Sequence, residues 1–260
     1  MPEAFYTQDR DRLVPSELTR GPWDPDAQHA GPPAALLGRA IERCEPPDGL
    51  QVGRITLEIL GPVPIAPVEV RARVVRPGRS VELLEASLSG PEGEVMRATA
   101  WRLRPGDLHL RPETDQTPPG PEHGATREFF PTRQKVGYNV AMDWLFVRGA
   151  FLEPGPATVW MRMRVPLVEG EEPSPLQRVL VAADSGNGVS AELDYHRYLF
   201  INTDLSVHLT RMPAGEWVCL DAKTHLDGVG LTDTALWDQR GRIGRAAQTL
   251  LVRQRPPSGA

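Results

Sequence analysis

Gly93-Glu94-Val95-Met96-Arg97-Ala98-Thr99-Ala100 returns 148 residues later as Gly241-Arg242-Ile243-Gly244-Arg245-Ala246-Ala247-Gln248, with glycine, aliphatic, arginine and alanine in step. The same offset carries Ile55-Thr56-Leu57-Glu58-Ile59 onto Thr203-Asp204-Leu205-Ser206-Val207, and Pro33-Ala34-Ala35-Leu36-Leu37-Gly38 onto Val181-Ala182-Ala183-Asp184-Ser185-Gly186. One offset that aligns three separate segments marks an internal duplication. Within it Leu36 matches Asp184, and Ala100 matches Gln248. The second copy thus holds a carboxylate and an amide where the first is apolar, and an active site is expected there.

Each copy reads as one apolar helix followed by strands. In the first, a helix over 32–43 opens with two prolines, which a first turn tolerates, and stops before Pro46-Pro47. Strands over 53–60, 68–75, 81–89 and 95–103 follow, separated by Gly/Pro turns. In the second copy, strands over 145–151 and 158–167 precede a helix over 175–183, then strands over 198–209, 217–223, 231–237 and 244–253. Residues 5–24 read as short mixed segments ending in the turn cluster Gly21-Pro22-Trp23-Asp24-Pro25-Asp26. The division expected is an N-terminal unit over 1–104, a Pro/Gly-rich linker over 105–134 and a C-terminal unit over 135–255. Helices almost free of charge belong inside sheets, and two curled sheets can cover one another's exposed edges by pairing. The fold class is therefore α+β: a double hotdog, two curled antiparallel sheets, each wrapped round one helix and joined into one continuous sheet.

Composition narrows the function. With 40% hydrophobic and 24% charged residues in 260, the chain can bury an ordinary core. A net charge of -5, with no run of Lys or Arg, argues against a nucleic-acid partner. Basic charge is nearly all arginine, Lys135 and Lys223 being the only lysines, and proline is abundant at 27 residues, a usage associated with GC-rich bacterial genomes. Cys44 and Cys219 are too few for a disulfide scaffold and wrongly spaced for zinc, so they are expected as buried thiols in a reducing cytoplasm. No signal peptide or spanning helix is legible, so no membrane association is expected. No metal cluster, phosphate loop or Gly-x-Ser-x-Gly elbow appears, and neither metal nor cofactor is expected.

Four runs carry a resemblance. Val181-Ala182-Ala183-Asp184-Ser185-Gly186-Asn187-Gly188, Asn202-Thr203-Asp204-Leu205-Ser206-Val207-His208-Leu209 and Arg245-Ala246-Ala247-Gln248-Thr249 resemble the second hotdog of bacterial acyl-CoA thioesterase II and its actinobacterial-type relatives. His29-Ala30-Gly31-Pro32-Pro33-Ala34-Ala35-Leu36-Leu37 resembles the opening of that family's first helix. The resemblance implies hydrolysis of acyl-CoA thioesters in lipid metabolism, with an Asp on the second helix, a Thr or Ser on the next strand and a Gln on the last strand holding a water. Asp184 and Gln248 match; the register puts Asn202 at the hydroxyl position, with Thr203 one residue later. Strand alternation says otherwise: Ile201, Thr203, Leu205, Val207 and Leu209 share an apolar face, which points Thr203 toward Asp184 unless a bulge resets the register. Both residues stay open.

These residue types suit the reaction, because a thioester carbonyl yields to a positioned, partly deprotonated water when donors meet the oxyanion. Gly186 and Gly188 would let a thioester approach, and Ala30 and Gly31 at the first helix's start would turn free N–H groups toward its carbonyl oxygen. Plainer readings stand beside these. Asp184 next to Ser185-Gly186-Asn187-Gly188 also suits a helix terminus, a lone Gln in a strand is usually structural, the tryptophans suit packing, and His196 and His208 suit a surface. Arg211 and Lys223 could meet coenzyme A phosphates or simply be surface cations. Three function classes follow: an acyl-CoA hydrolase, a silent acyl-CoA-binding hotdog, and a hydratase or dehydratase. The last is disfavoured, since Asp204 and His208 are separated by three residues rather than four. A homo-oligomer, a dimer of double hotdogs or larger, is the expected assembly.

Overall fold

The computed structural model describes residues 3–45, 49–107, 117–132 and 135–255. Pro46-Pro47 and residues 108–116 and 133–134 of the expected linker lie outside them. The chain opens with a hairpin of β1 (Tyr6–Asp9) and β2 (Arg12–Pro15), then α1 (Gly31–Arg43) and strands β3 (Gln51–Ile59), β4 (Glu69–Arg76), β5 (Val81–Gly90) and β6 (Gly93–Leu103). After β7 (Met142–Ala150) and β8 (Glu153–Met163) come α2 (Pro175–Ala183) and α3 (Gly186–Val189). Strands β9 (Tyr198–Asn202), β10 (Asp204–Leu209), β11 (Val218–Asp227), β12 (Val229–Asp238) and β13 (Gly241–Gln254) complete it.

Eleven strands form one antiparallel sheet in the order β4-β5-β6-β3-β10-β13-β12-β11-β8-β7, with β9 beside β13. The double hotdog is thus present. Its seam is the β3–β10 pair, where Leu57 lies opposite Leu205, its own repeat partner, and Thr56 and Glu58 face Ser206 and Asp204. A pseudo-twofold axis therefore passes through the Leu57–Leu205 pair. Symmetry extends to the backbone: Gly93 and Gly241 close equivalent two-residue turns with φ of 127° each, a conformation open to glycine and costly for other residues.

The two helices run antiparallel inside the sheet and touch closely. A Cβ on Gly31 would sit 2.4 Å from the Val181 carbonyl oxygen, and one on Gly38 2.4 Å from Leu180 Cδ1. Leu36, Leu37, Ile41, Leu176, Val179 and Leu180 fill the space beneath Leu57, Leu84, Leu205 and Leu220. The α1 C-terminus is capped by buried Arg102, whose guanidinium donates to the Ile41, Cys44 and Glu45 carbonyls at 3.3, 2.9 and 3.2 Å. A cation is favoured there by the helix dipole, and Glu82 at 2.5 Å balances its charge. Ser174 starts α2, accepting from the Gln177 N–H at 3.2 Å and donating to Glu42 of α1 at 2.6 Å.

Two stretches carry more structure than their sequence suggests. Residues 5–24 include β1 and β2, and Leu13 exchanges 2.9 Å hydrogen bonds with Val68, so β2 flanks β4 as β8 flanks β11. Four-residue strands are too short to leave a periodic pattern. The described part of 105–134 is tied to the second copy: Ala125 and Phe146 exchange two hydrogen bonds at 2.9 Å, and Trp160 donates to the Pro119 carbonyl at 2.7 Å. Among the described residues no helix is long and apolar enough to cross a membrane.

Because the edge of β3 opposite β6 is covered by β10 of the second copy, a fragment ending at Arg104 exposes a full edge strand and one flank of α1. It is expected to self-associate or to lose cooperative unfolding. Size-exclusion chromatography with calorimetry checks this, and a monomer with a sharp transition would contradict it.

Candidate active site

Helix α1 runs unbroken through Leu36, whereas its counterpart stops at Ala183 and restarts at Gly186, with Asp184 and Ser185 between. A helix break strands backbone carbonyls and amides that need new partners when buried. Gln248, reaching in from β13, supplies both: its Nε2 donates to the Asp184 carbonyl at 3.1 Å and its Oε1 accepts the Asn187 N–H at 3.0 Å. In the first copy Ala100 takes this place beside an unbroken helix. Gly186 makes room for the bridge, since a Cβ there would fall 2.9 Å from Gln248 Oε1 and 2.7 Å from Thr234 Oγ1.

The break delivers the Asp184 side chain, 5% exposed, to the helix–helix junction. Its Oδ1 accepts from Asn202 Nδ2 at 2.8 Å, and Asn202 also donates to the Asp204 carbonyl at 3.2 Å. Thr203 is exposed, its hydroxyl directed at the Thr249 carbonyl 3.4 Å away. The expected continuous strand over 198–209, with one apolar face, is corrected here. Residue 202 pairs with 250 but 206 pairs with 247, a one-residue slip placed at Thr203. This bulge reverses the alternation, so Phe200 points inward before it and Leu205, Val207 and Leu209 after it. Asn202 thereby shares the inner face with Gln248, a diagonal neighbour across the β9–β13 pair.

His29 completes the cluster, with Nδ1 3.0 Å from Asp184 Oδ2 and its side chain 12% exposed. The same nitrogen accepts the Gly31 N–H at 3.1 Å. Tyr138 stacks on the imidazole, with centroids 3.7 Å apart and planes 11° from parallel. The Tyr138 hydroxyl donates to the Val181 carbonyl at 2.6 Å and lies 3.1 Å from Ser185 Oγ, locking the ring to the end of α2. Burial pushes the His29 pKa below the ordinary histidine range, and the Asp184 charge opposes that shift. Burial drives the Tyr138 hydroxyl well above the usual tyrosine range and keeps it neutral. Neither residue was singled out from the sequence. The available signal for His29 was its position two residues ahead of a helix that has no side-chain N-cap.

The remaining expected site residues are placed as follows. The space left by Gly31 is taken up by α2, and Gly188 faces the Phe130 ring, where a Cβ would lie 3.6 Å from Cε2. The Gly31 amide is engaged by His29, and Ala30, partly buried, gives its carbonyl to the Ala34 N–H at 2.9 Å. Gly31 and Gly186 both sit in close packing, where an added Cβ would meet Val181 O and Thr234 Oγ1 at 2.4 and 2.7 Å. Arg211 is held by Asp238 in a two-pronged ion pair, one arm at 2.6 Å, while Lys223, His196 and His208 are exposed. The Asp204 carboxylate accepts the Thr249 N–H at 2.8 Å, and it is the backbone carbonyl of Asp204 that meets the cluster, through Asn202. Trp23 packs edge-on against Phe200 at 4.7 Å, and Trp144 is buried.

A duplicated hotdog whose second helix, unlike the first, breaks at a buried, hydrogen-bonded aspartate defines the class of protein as an asymmetric double hotdog. Residues 19–103 match the acyl-CoA thioesterase N-terminal domain and residues 112–252 the acyl-CoA thioesterase C-terminal domain, so the chain belongs to that acyl-CoA thioesterase family. Among solved structures, one provisionally assigned as thioesterase II from Thermobifida fusca YX is 20% identical, with 94% of this chain and 95% of that one covered and a TM-score of 0.71. A provisionally assigned thioesterase from Novosphingobium aromaticivorans is 18% identical over 95% and 98%, with a TM-score of 0.72. A hot dog fold protein from Alicyclobacillus acidocaldarius is 16% identical over 97% and 96%, at 0.70. At such identities the likeness speaks to fold alone. No functionally curated protein matches the chain.

Replacing Gln248 with Leu leaves two buried backbone groups unsatisfied, at about 1–3 kcal/mol each. Gln248→Leu should therefore lower unfolding free energy by about 2–6 kcal/mol, measured by denaturant titration. A loss under about 1 kcal/mol would remove Gln248 from the role of bridging the helix break.

Proposed function

We propose that this protein hydrolyses acyl-CoA thioesters to free acid and coenzyme A at Asp184. The observation that carries the reading is the Asp184 carboxylate, buried at the broken second helix and held by Asn202, in a member of the acyl-CoA thioesterase family. Asp184 is the group that takes a proton from water as the water oxygen bonds to the thioester carbon. The proton then passes to the departing sulfur as the carbon–sulfur bond breaks. Asn202 fixes the carboxylate through Oδ1, leaving its remaining lone pairs for water. Gln248 holds the Asp184 backbone in place, and its second Nε2 hydrogen is the one that would reach the water.

The structural position of Thr203 supports Asn202 over Thr203 as the third member of the constellation. We assign the site to the C-terminal unit over 135–255, with the start of α1 completing it, and expect the protein to act on acyl-CoA in the bacterial cytoplasm as a homo-oligomer. The unpaired thiols Cys44 and Cys219 agree with a reducing compartment.

A panel of acyl-CoAs of graded chain length, with detection of released thiol, tests the activity. Asp184→Asn is expected to lower kcat by roughly 100- to 10,000-fold with acyl-CoA affinity within a few-fold of the parent. An unchanged rate would remove Asp184 from the mechanism. Coenzyme A esters that bind without thiol release from the parent protein would point instead to a silent binding protein.

Asn202→Ala should cost about 10- to 150-fold in kcat, the worth of one hydrogen bond to a charged partner. Thr203→Val should stay within about 2-fold, since its hydroxyl faces away from Asp184. Side-by-side steady-state kinetics decide this, and the reverse order would restore Thr203.

A further inference from the structure

His29 Nδ1 faces two groups that cannot both be served by one protonation state. As an acceptor it takes the Gly31 N–H at 3.1 Å, which leaves its lone pair against Asp184 Oδ2 at 3.0 Å unless that oxygen carries a proton. As a donor it binds the carboxylate and gives up the Gly31 amide. The proton between Nδ1 and Oδ2 therefore determines whether Asp184 is charged. The site is built to hold the imbalance: Tyr138 stacks on the imidazole and is itself anchored to Val181 and Ser185, fixing the ring against the end of α2.

We propose that His29 is a positioning residue of the hydrolytic site, whose Nδ1–H donates to Asp184 Oδ2 in the working state and keeps that carboxylate charged and aimed while Asn202 holds Oδ1. This rests on the reading of Asp184 as the base. Asp184 then has one donor on each oxygen, both from buried or half-buried side chains, and its remaining lone pairs face the water. Among the described residues, two titratable groups meet the imidazole: Asp184 from the end of α2, and Tyr138 from the turn at 138–140, which burial keeps neutral. The start of α1 meets it through the Gly31 N–H, and the His29 backbone is held by the Thr19 carbonyl, which accepts its N–H at 2.7 Å.

The pH dependence follows in sign. Protonating His29 at Nε2 makes an imidazolium beside Asp184 and weakens the carboxylate as a base, so the rate falls on the acid side as His29 gains its second proton. Since burial holds that protonation below the ordinary histidine range, the acid limb lies below about pH 6.5. His29→Asn supplies a donor near the Nδ1 position but does not titrate. It is expected to keep kcat within about 10-fold of the parent while the acid limb moves to lower pH; His29→Ala should lose roughly 10- to 150-fold in kcat, with KM changed only a few-fold. An acid limb unmoved in His29→Asn would overturn the proposal, as would full activity in His29→Ala.

A second measurement does not depend on turnover. Imidazole nitrogen NMR of the full chain follows His29 without substrate, assigned by its loss in His29→Asn. The Asp184 charge raises the His29 pKa, so Asp184→Asn should shift the His29 titration to lower pH. An unshifted titration overturns the pairing whatever the activity. A shifted titration in a protein that releases no thiol supports the pairing and overturns only the thioesterase reading.

Discussion

The side-chain amide of Gln248 joins two pieces of helix, and the rest of the site depends on it. By taking the Asp184 carbonyl and the Asn187 N–H, it permits a break inside the core that would otherwise leave polar backbone groups buried without partners. The break in turn lets the chain turn a carboxylate toward the first helix. Gly186, Thr234 and Gln248 form one packed unit around it, so the position of the acid follows from local close packing rather than from an independent loop.

Duplication explains why this arrangement is affordable in only one half. The first copy keeps Leu36 on a continuous helix and Ala100 on the strand, and its apolar core anchors the seam at Leu57 and Leu205. With that half carrying packing, the second can place Asp184, Asn187, Thr232, Thr234 and Gln248 in its interior. The price is met locally, as Ser190, Thr224 and Thr232 hydrogen-bond in series at 2.9 and 2.8 Å. The first copy nevertheless contributes to the site: the antiparallel packing of the helices brings the start of α1, and with it His29, against the end of α2.

Electrostatics within this junction are settled by burial. Asn202 donates to Asp184 Oδ1, His29 Nδ1 lies 3.0 Å from Oδ2, and burial pushes the His29 pKa down against the pull of the Asp184 charge. Tyr138 contributes an uncharged surface that holds the imidazole without competing for its proton.

The sequence by itself determined the duplication, the helix-then-strands order and the asymmetry at Leu36/Asp184 and Ala100/Gln248, because a shared offset and a change of residue type are one-dimensional facts. It also placed α2 at 175–183, as observed. The tertiary structure alone showed that Asn202 rather than Thr203 contacts Asp184, since a single-residue bulge at 203 reverses which side chains face inward and leaves no mark in the alternation of residue types. It alone brought His29 and Tyr138 to Asp184 as well, across separations of 155 and 46 residues in the chain. Contacts between segments so distant are set by the packing of two helices inside one sheet, and a periodic pattern read along a single segment carries no information about them.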